Sequence, residues 1–192
     1  MLRSLNLKNF RSFKQFSMTG LGRVNLLVGT NNSGKTSVLE AINILSAEGR
    51  LEVVWDTLTR RGERQVLEVD VSGRRFHEMD IRNLFFGHEL DQKIVLEIVG
   101  KNDAITDIFT AKTVDNYGES RLIELPESAI FSPELALEFQ WKGKIDFQIA
   151  LPISSMGGIS TELIRYPRKP AENAIPMRFY HNQCFRWNSC YF

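Results

Sequence analysis

Cysteine is scarce in this chain: only Cys184 and Cys190 among 192 residues, both close to the end. Two such residues support no disulfide framework, and reduced thiols are expected. With His181 they make three potential metal ligands, one short of a closed zinc site. The other histidines, His77 and His88, read as isolated helix or loop residues, and no carboxylates cluster near them as a metal-dependent nuclease would require. No apolar run approaches the roughly 20 residues of a membrane span, and no signal-type apolar stretch opens the sequence. A cytoplasmic protein is therefore expected. The net charge of +1 excludes attraction of a polyanion by bulk charge alone. Its distribution is uneven, since residues 1–50 carry seven Lys/Arg against only Glu40 and Glu48.

What the chain does have is concentrated between Val24 and Ala47. Gly29-Thr30-Asn31-Asn32-Ser33-Gly34-Lys35-Thr36 fits the phosphate-loop pattern G-x-x-x-x-G-K-[ST] at every fixed position. Val24, Leu26, Leu27 and Val28 before it read as a short buried strand. Val38, Ile42 and Leu45 after it recur on one face of a helix closed by Gly49. Gly29 and Gly34 let successive N–H groups point into one hollow at a helix N-terminus, where an anion is favoured. Lys35 is the candidate for the β- and γ-phosphates, Thr36 for Mg²⁺, and Ser37 a weaker candidate for the α-phosphate. ATP and Mg²⁺ are the expected ligands.

Two further strands are expected before the loop. One covers Met1 to Lys8, with Leu5 and Leu7 alternating against polar neighbours; the other is centred on Phe16 and Met18. Between them Asn9-Phe10-Arg11-Ser12-Phe13 turns the chain. LNLKNFRSF, a strand, then VNLLVGTNNSGKTSVLEAI resembles the N-terminus of the RecF/SMC-like ABC-type ATPases, most of all the group holding the Old-family nucleases and related AAA-type ATPases of bacterial defence. The resemblance covers residues 1 to 47. It implies an α/β phosphate-loop NTPase fold, the N-terminal lobe of an ABC-type head with an antiparallel β-lobe. It also implies ATP hydrolysis between two dimerised heads, coupled to DNA repair or phage defence, and it places Arg11 and Ser12 near the nucleotide.

Beyond Gly49, Leu51, Val54, Trp55 and Leu58 predict a second helix with Trp55 in the core, followed by the polar connection Thr59 to Arg64. Strands are expected around Leu67 to Val71, Ile94 to Ile98 and Ile123 to Leu125, with a short helix around Ile81 to Phe85. Residues 105–113 are ambiguous between helix and strand. Leu135, Leu137, Phe139 and Trp141 alternate cleanly with polar residues and are answered by Ile145, Phe147 and Ile149 across Lys142-Gly143-Lys144, a hairpin with one wet face. The segments are read as 1–64, the phosphate-loop core; 65–150, the antiparallel lobe; and 151–192, an irregular tail.

Hydrolysis needs more than the loop: an acid at the end of a buried strand for Mg²⁺, and a second acid for the attacking water. No run of four apolar residues followed by Asp or Asp-Glu occurs after the loop. Val66 to Asp70 and Ile94 to Glu97 come nearest, but both alternate, so their acids are expected to face solvent. Ile153 to Gly158 has the composition of an ABC signature without its order and reads as a loop. The last sixteen residues, MRFYHNQCFRWNSCYF, have neither helical nor strand periodicity. They are read as truncated or out-of-frame sequence. No Asn/Thr-Lys-x-Asp segment for guanine is present, and no acceptor base or lid arginines of a small-molecule kinase. A nucleotide-binding fragment without hydrolysis stands as the alternative. The expected partners are a second head, the C-terminal half of the ATPase, and DNA by resemblance.

Overall fold

The computed structural model describes residues 1–68, 75–115, 135–154 and 157–160. A six-stranded sheet forms the centre, ordered β2-β1-β5-β6-β7-β8, with every neighbouring pair antiparallel. Its strands are β1 (Leu2–Phe10), β2 (Phe13–Thr19), β5 (Val95–Asn102), β6 (Thr106–Asp115), β7 (Leu135–Lys142) and β8 (Phe147–Pro152). A smaller antiparallel sheet, β3-β4-β9, combines Arg64–Glu68, Arg75–Asp80 and Gly158–Ser160.

Two helices, α1 (Lys35–Ser46) and α2 (Leu51–Arg60), complete the core. Val38, Ala41, Ile44 and Leu45 of α1, with Val54, Trp55 and Leu58 of α2, join Leu7, Ile98, Phe109 and Phe139 of the sheet in one buried cluster. Each such side chain, taken out of water, contributes about 1.5–3 kcal/mol. At Gly100 on β5 a Cβ would stand 2.7 Å from Leu45 Cδ1, so α1 lies close against the sheet there and a larger residue would require Leu45 to shift. Trp55 is buried, with its ring edge-on to Phe139, as expected of a core residue.

β1, β2, β5 and β7 form where the alternation places them. Ile145, expected in the strand that answers β7, is exposed in the turn before β8, and β4 and β9 are not expected from the sequence. Residues 105–113, ambiguous in sequence, fall almost wholly in β6. Ile81–Leu84 forms a 3-10 turn capped by the Asp80 carboxylate. His77 lies in β4, not in a helix or loop: it pairs in register with Val66. The main correction concerns Val24 to Val28. These residues form no strand, and Val24, Leu26 and Val28 stand in water. No described strand pairs with them, so the apolar run lacks a hydrogen-bonding neighbour, and of its side chains Leu27 is packed against the core. The sheet also crosses the boundary at residue 64, since β1 and β2 share it with β5 to β8. The expected strand at Ile123 to Leu125, residues 69–71 of the strand beginning near Leu67, and most of the tail with Cys184, Cys190 and His181 lie outside the described residues.

Candidate nucleotide-binding site

The loop from Gly29 to Gly34 leads directly into α1, with Gly34 as its N-cap at φ 86°. No side chain caps this helix, and its first turn holds no acid. The first-turn N–H groups are therefore left facing outward, together with the positive end of the helix dipole. At Gly29 a Cβ would sit 2.8 Å from Ser33 Oγ, inside the loop's own turn. Asn32 adopts φ 61°, a conformation asparagine tolerates better than most residues.

Lys35 reaches back across this loop. Its Nζ donates to Gly29 O at 2.9 Å, Thr30 O at 2.6 Å and Ser33 Oγ at 3.3 Å. The ammonium thus spans the concave side of the loop, held by acceptors it can exchange for phosphate oxygens. Thr36 is exposed and its hydroxyl makes no hydrogen bond among the described residues, so it is free for a cation. Ser37 is buried, and Arg61 Nη2 lies 3.5 Å from its Oγ, a long contact. Thr30, Asn31 and Asn32 are exposed on the loop's rim. A triphosphate fits this set: free N–H donors, one cation and one free hydroxyl. Among the described residues no group of three or more His, Cys, Asp or Glu could hold a metal by itself.

The β1–β2 turn stands beside the loop. Phe10 and Phe13 pair across a two-residue hairpin of Arg11 and Ser12. The Phe13 ring lies where a Cβ on Gly34 would fall. Arg11, at φ 54°, turns inward and is buried. Its Nε donates to Glu40 Oε2 at 3.1 Å, and its Nη1 to both Glu63 oxygens at 2.7 Å and to Asn83 O at 2.8 Å. Arg61 Nε closes the cluster on Glu40 Oε1 at 2.5 Å. Of the Arg11 nitrogens, Nη2 is buried without a hydrogen-bond partner among the described residues. Ser12 is exposed. The sequence singled out Arg11 and Ser12 but gave no role to Phe13, Glu40, Glu63 or Arg61, whose contacts join positions far apart in the chain.

Ser154 is part of a turn rather than a signature segment: its hydroxyl donates to Glu78 at 2.7 Å, and its N–H to Gly158 O at 2.8 Å. Burial pushes the Glu78 carboxyl above the usual range, while the Ser154 hydrogen bond pulls the other way. Glu97, nearest in sequence to an acidic strand end, lies on β5 between Leu96 and Ile98, which are buried while it is not.

The chain is 28% identical over 131 residues to the DNA replication and repair protein RecF of Tropheryma whipplei, covering 68% of this chain and 31% of that protein. It is 33% identical over 88 residues to RecF of Clostridioides difficile, 46% of this chain and 24% of the relative. It is also 36% identical over 87 residues to the DNA double-strand break repair Rad50 ATPase of Methanopyrus kandleri, 45% of this chain and 10% of the relative. The chain thus spans about a third or less of the length of these curated relatives. No solved structure matches it significantly. No helix among the described residues is long and apolar enough to cross a membrane. Residues 1–156 match the AAA ATPase domain family, and with a phosphate loop seated on α1 and RecF and Rad50 among its relatives, the chain belongs to that family as a RecF/SMC-like ABC-type ATPase.

Proposed function

We propose that this chain binds ATP with Mg²⁺ at Gly29 to Thr36 and is the N-terminal lobe of an ATPase head. Lys35 takes the β- and γ-phosphates, the free N–H groups of the loop and first turn cradle them, Thr36 takes one Mg²⁺ position, and Ser37 stands near the α-phosphate. The observation that carries the reading is Lys35 Nζ held on the carbonyls of Gly29 and Thr30, in the loop that leads into the uncapped N-terminus of α1. Arg11 and Ser12 border the same site, and any contact Arg11 makes runs through Nη2, its one nitrogen not already engaged. Residues 1–64 and 65–150 are pieces of one head, and β9 (Gly158–Ser160) beyond them pairs with β4. The protein acts in the cytoplasm with a second head or a C-terminal ATPase half, in DNA repair or phage defence, the latter as an Old-like member.

Calorimetric titration with MgATP tests the reading. Wild type is expected to bind and Lys35→Ala to lose binding; equal affinity for the two proteins refutes the assignment. A second reading, nucleotide binding without hydrolysis by this chain alone, is favoured by the lack of any acid ending an apolar strand after the loop.

A further inference from the structure

The cluster around Arg11 sets two arginines against two glutamates, yet it leaves one donor unanswered. Arg11 is buried, with Nε on Glu40 and Nη1 on Glu63 and Asn83 O, while Nη2 finds no acceptor among the described residues. A charged donor taken out of water without an acceptor costs free energy. The closed cluster is therefore less stable than its other contacts would make it, and an acceptor delivered to Nη2 tightens it.

The two sides of the cluster face different parts of the fold. On one side is the phosphate loop: Arg11 precedes Ser12 and Phe13, whose ring lies against Gly34, and Glu40 stands one turn along α1 from Thr36. On the other side is the small sheet. Glu63 directly precedes β3, and its carbonyl accepts from Asp80 N at 3.1 Å. Asp80 caps the 3-10 turn with its carboxylate and pairs with Gly158 of β9. The Arg11 N–H itself donates to Leu84 O in that turn at 2.8 Å. One buried side chain thus joins the loop helix to the β3-β4-β9 sheet.

We infer that the Arg11 cluster couples nucleotide occupancy to the β3-β4-β9 sheet. A phosphate oxygen at Nη2 satisfies the orphaned donor, closes the cluster, and holds β3 and the 3-10 turn against α1. The inference rests on the proposed reading of the loop as the nucleotide site and adds a regulatory connection to it. By linkage the coupling runs both ways, so opening of the sheet at Asp80 weakens nucleotide binding.

Amide exchange of the full chain, read residue by residue with and without MgATP, tests this. With MgATP at about a hundred times its dissociation constant, amides that open only when the nucleotide leaves slow about a hundredfold. That slowing is expected at Val38, whose N–H bonds to Gly34 O at the loop, and at Asp80 in the small sheet. In Glu63→Ala the slowing at Val38 is expected to persist and that at Asp80 to fall below about threefold. Slowing at Val38 without slowing at Asp80 in wild type overturns the inference and leaves the nucleotide site standing. Slowing at Asp80 that survives in full in Glu63→Ala also overturns it, because stabilisation of the whole chain then accounts for the effect. No slowing at Val38, with no heat in the MgATP titration, removes the nucleotide site and the inference with it. Should Glu63→Ala leave the β6 and β7 amides unprotected, Glu63→Gln replaces it, keeping one acceptor for Arg11 without the charge. Slowing at Asp80 is then expected to shrink about tenfold, and undiminished slowing overturns the inference.

Discussion

Gly34 carries two demands at once. Its φ of 86° is costly for a residue with a Cβ, by about 1–2 kcal/mol, and that Cβ would meet the Phe13 ring, with Cε2 at 3.0 Å. Gly34→Ala is therefore expected to weaken MgATP binding about tenfold or more, each factor of ten being about 1.4 kcal/mol. Adding Phe13→Ala should recover the part due to collision and none of the part due to φ; calorimetry on the three variants reads both. The glycine spacing was legible in sequence because a phosphate loop demands it locally. Phe13 was not, since its role depends on a hairpin folding back onto a loop far along the chain. Glu78 makes a second prediction at this scale. Burial raises its folded pKa above the ordinary 4.5, so the folded state holds a proton the unfolded state has released. Its contribution is fully present below 4.5 and is lost as pH rises through the raised folded value. Denaturant unfolding should show stability falling with pH across that window. Glu78→Gln, which keeps an acceptor for Ser154, should flatten the slope; an unchanged slope assigns it to other groups.

Between elements, Arg11 ties the β1–β2 turn to α1 through Glu40, to the start of β3 through Glu63, and to the 3-10 turn through Asn83 O. Both carboxylates are mostly buried, with side-chain exposures of 12% and 15%. Removing one partner of a buried pair leaves the other charged in a poor solvent. Arg11→Met is expected to cost about 3 kcal/mol, or roughly 6–12 °C in melting temperature for a chain of this size. Glu63→Gln in that background should restore part of the loss by neutralising the stranded carboxylate. A melting shift under about 2 °C for Arg11→Met means the cluster behaves as a solvated surface pair. β7 is legible from its alternation because Leu137, Phe139 and Trp141 share one buried face. Val24 to Val28 are not, because apolar composition states what a segment requires, while a strand exists only where a neighbour pairs with it. The Arg11 cluster had no local signal at all: an arginine in a turn and two glutamates elsewhere look like solvated charges until the fold brings them together.

For the molecule as a whole, binding and hydrolysis separate. The phosphate loop needs only the residues from Gly29 to Thr36, all on α1 and the loop before it. Hydrolysis also needs a carboxylate fixed at a strand end beside the loop, to hold Mg²⁺ and to polarise water. Residues 24–28, which lead into the loop, form no strand and pair with none among the described residues, so no paired strand end is held beside them to carry such a carboxylate. The purified 192-residue chain is therefore expected to bind MgATP while releasing phosphate at the rate of a no-enzyme control, with DNA present or absent. A phosphate-release assay run beside the binding titration decides this. Turnover well above the control, abolished by Lys35→Ala, would require a carboxylate from this chain at the γ-phosphate. Glu40 lies on α1 within reach of the first turn, but Arg11 and Arg61 already engage its two oxygens. Freeing it would break the cluster that holds the turn, the helix and β3 together. Any such turnover should then fall on the same substitutions that lower the melting temperature, and that correlation would identify it.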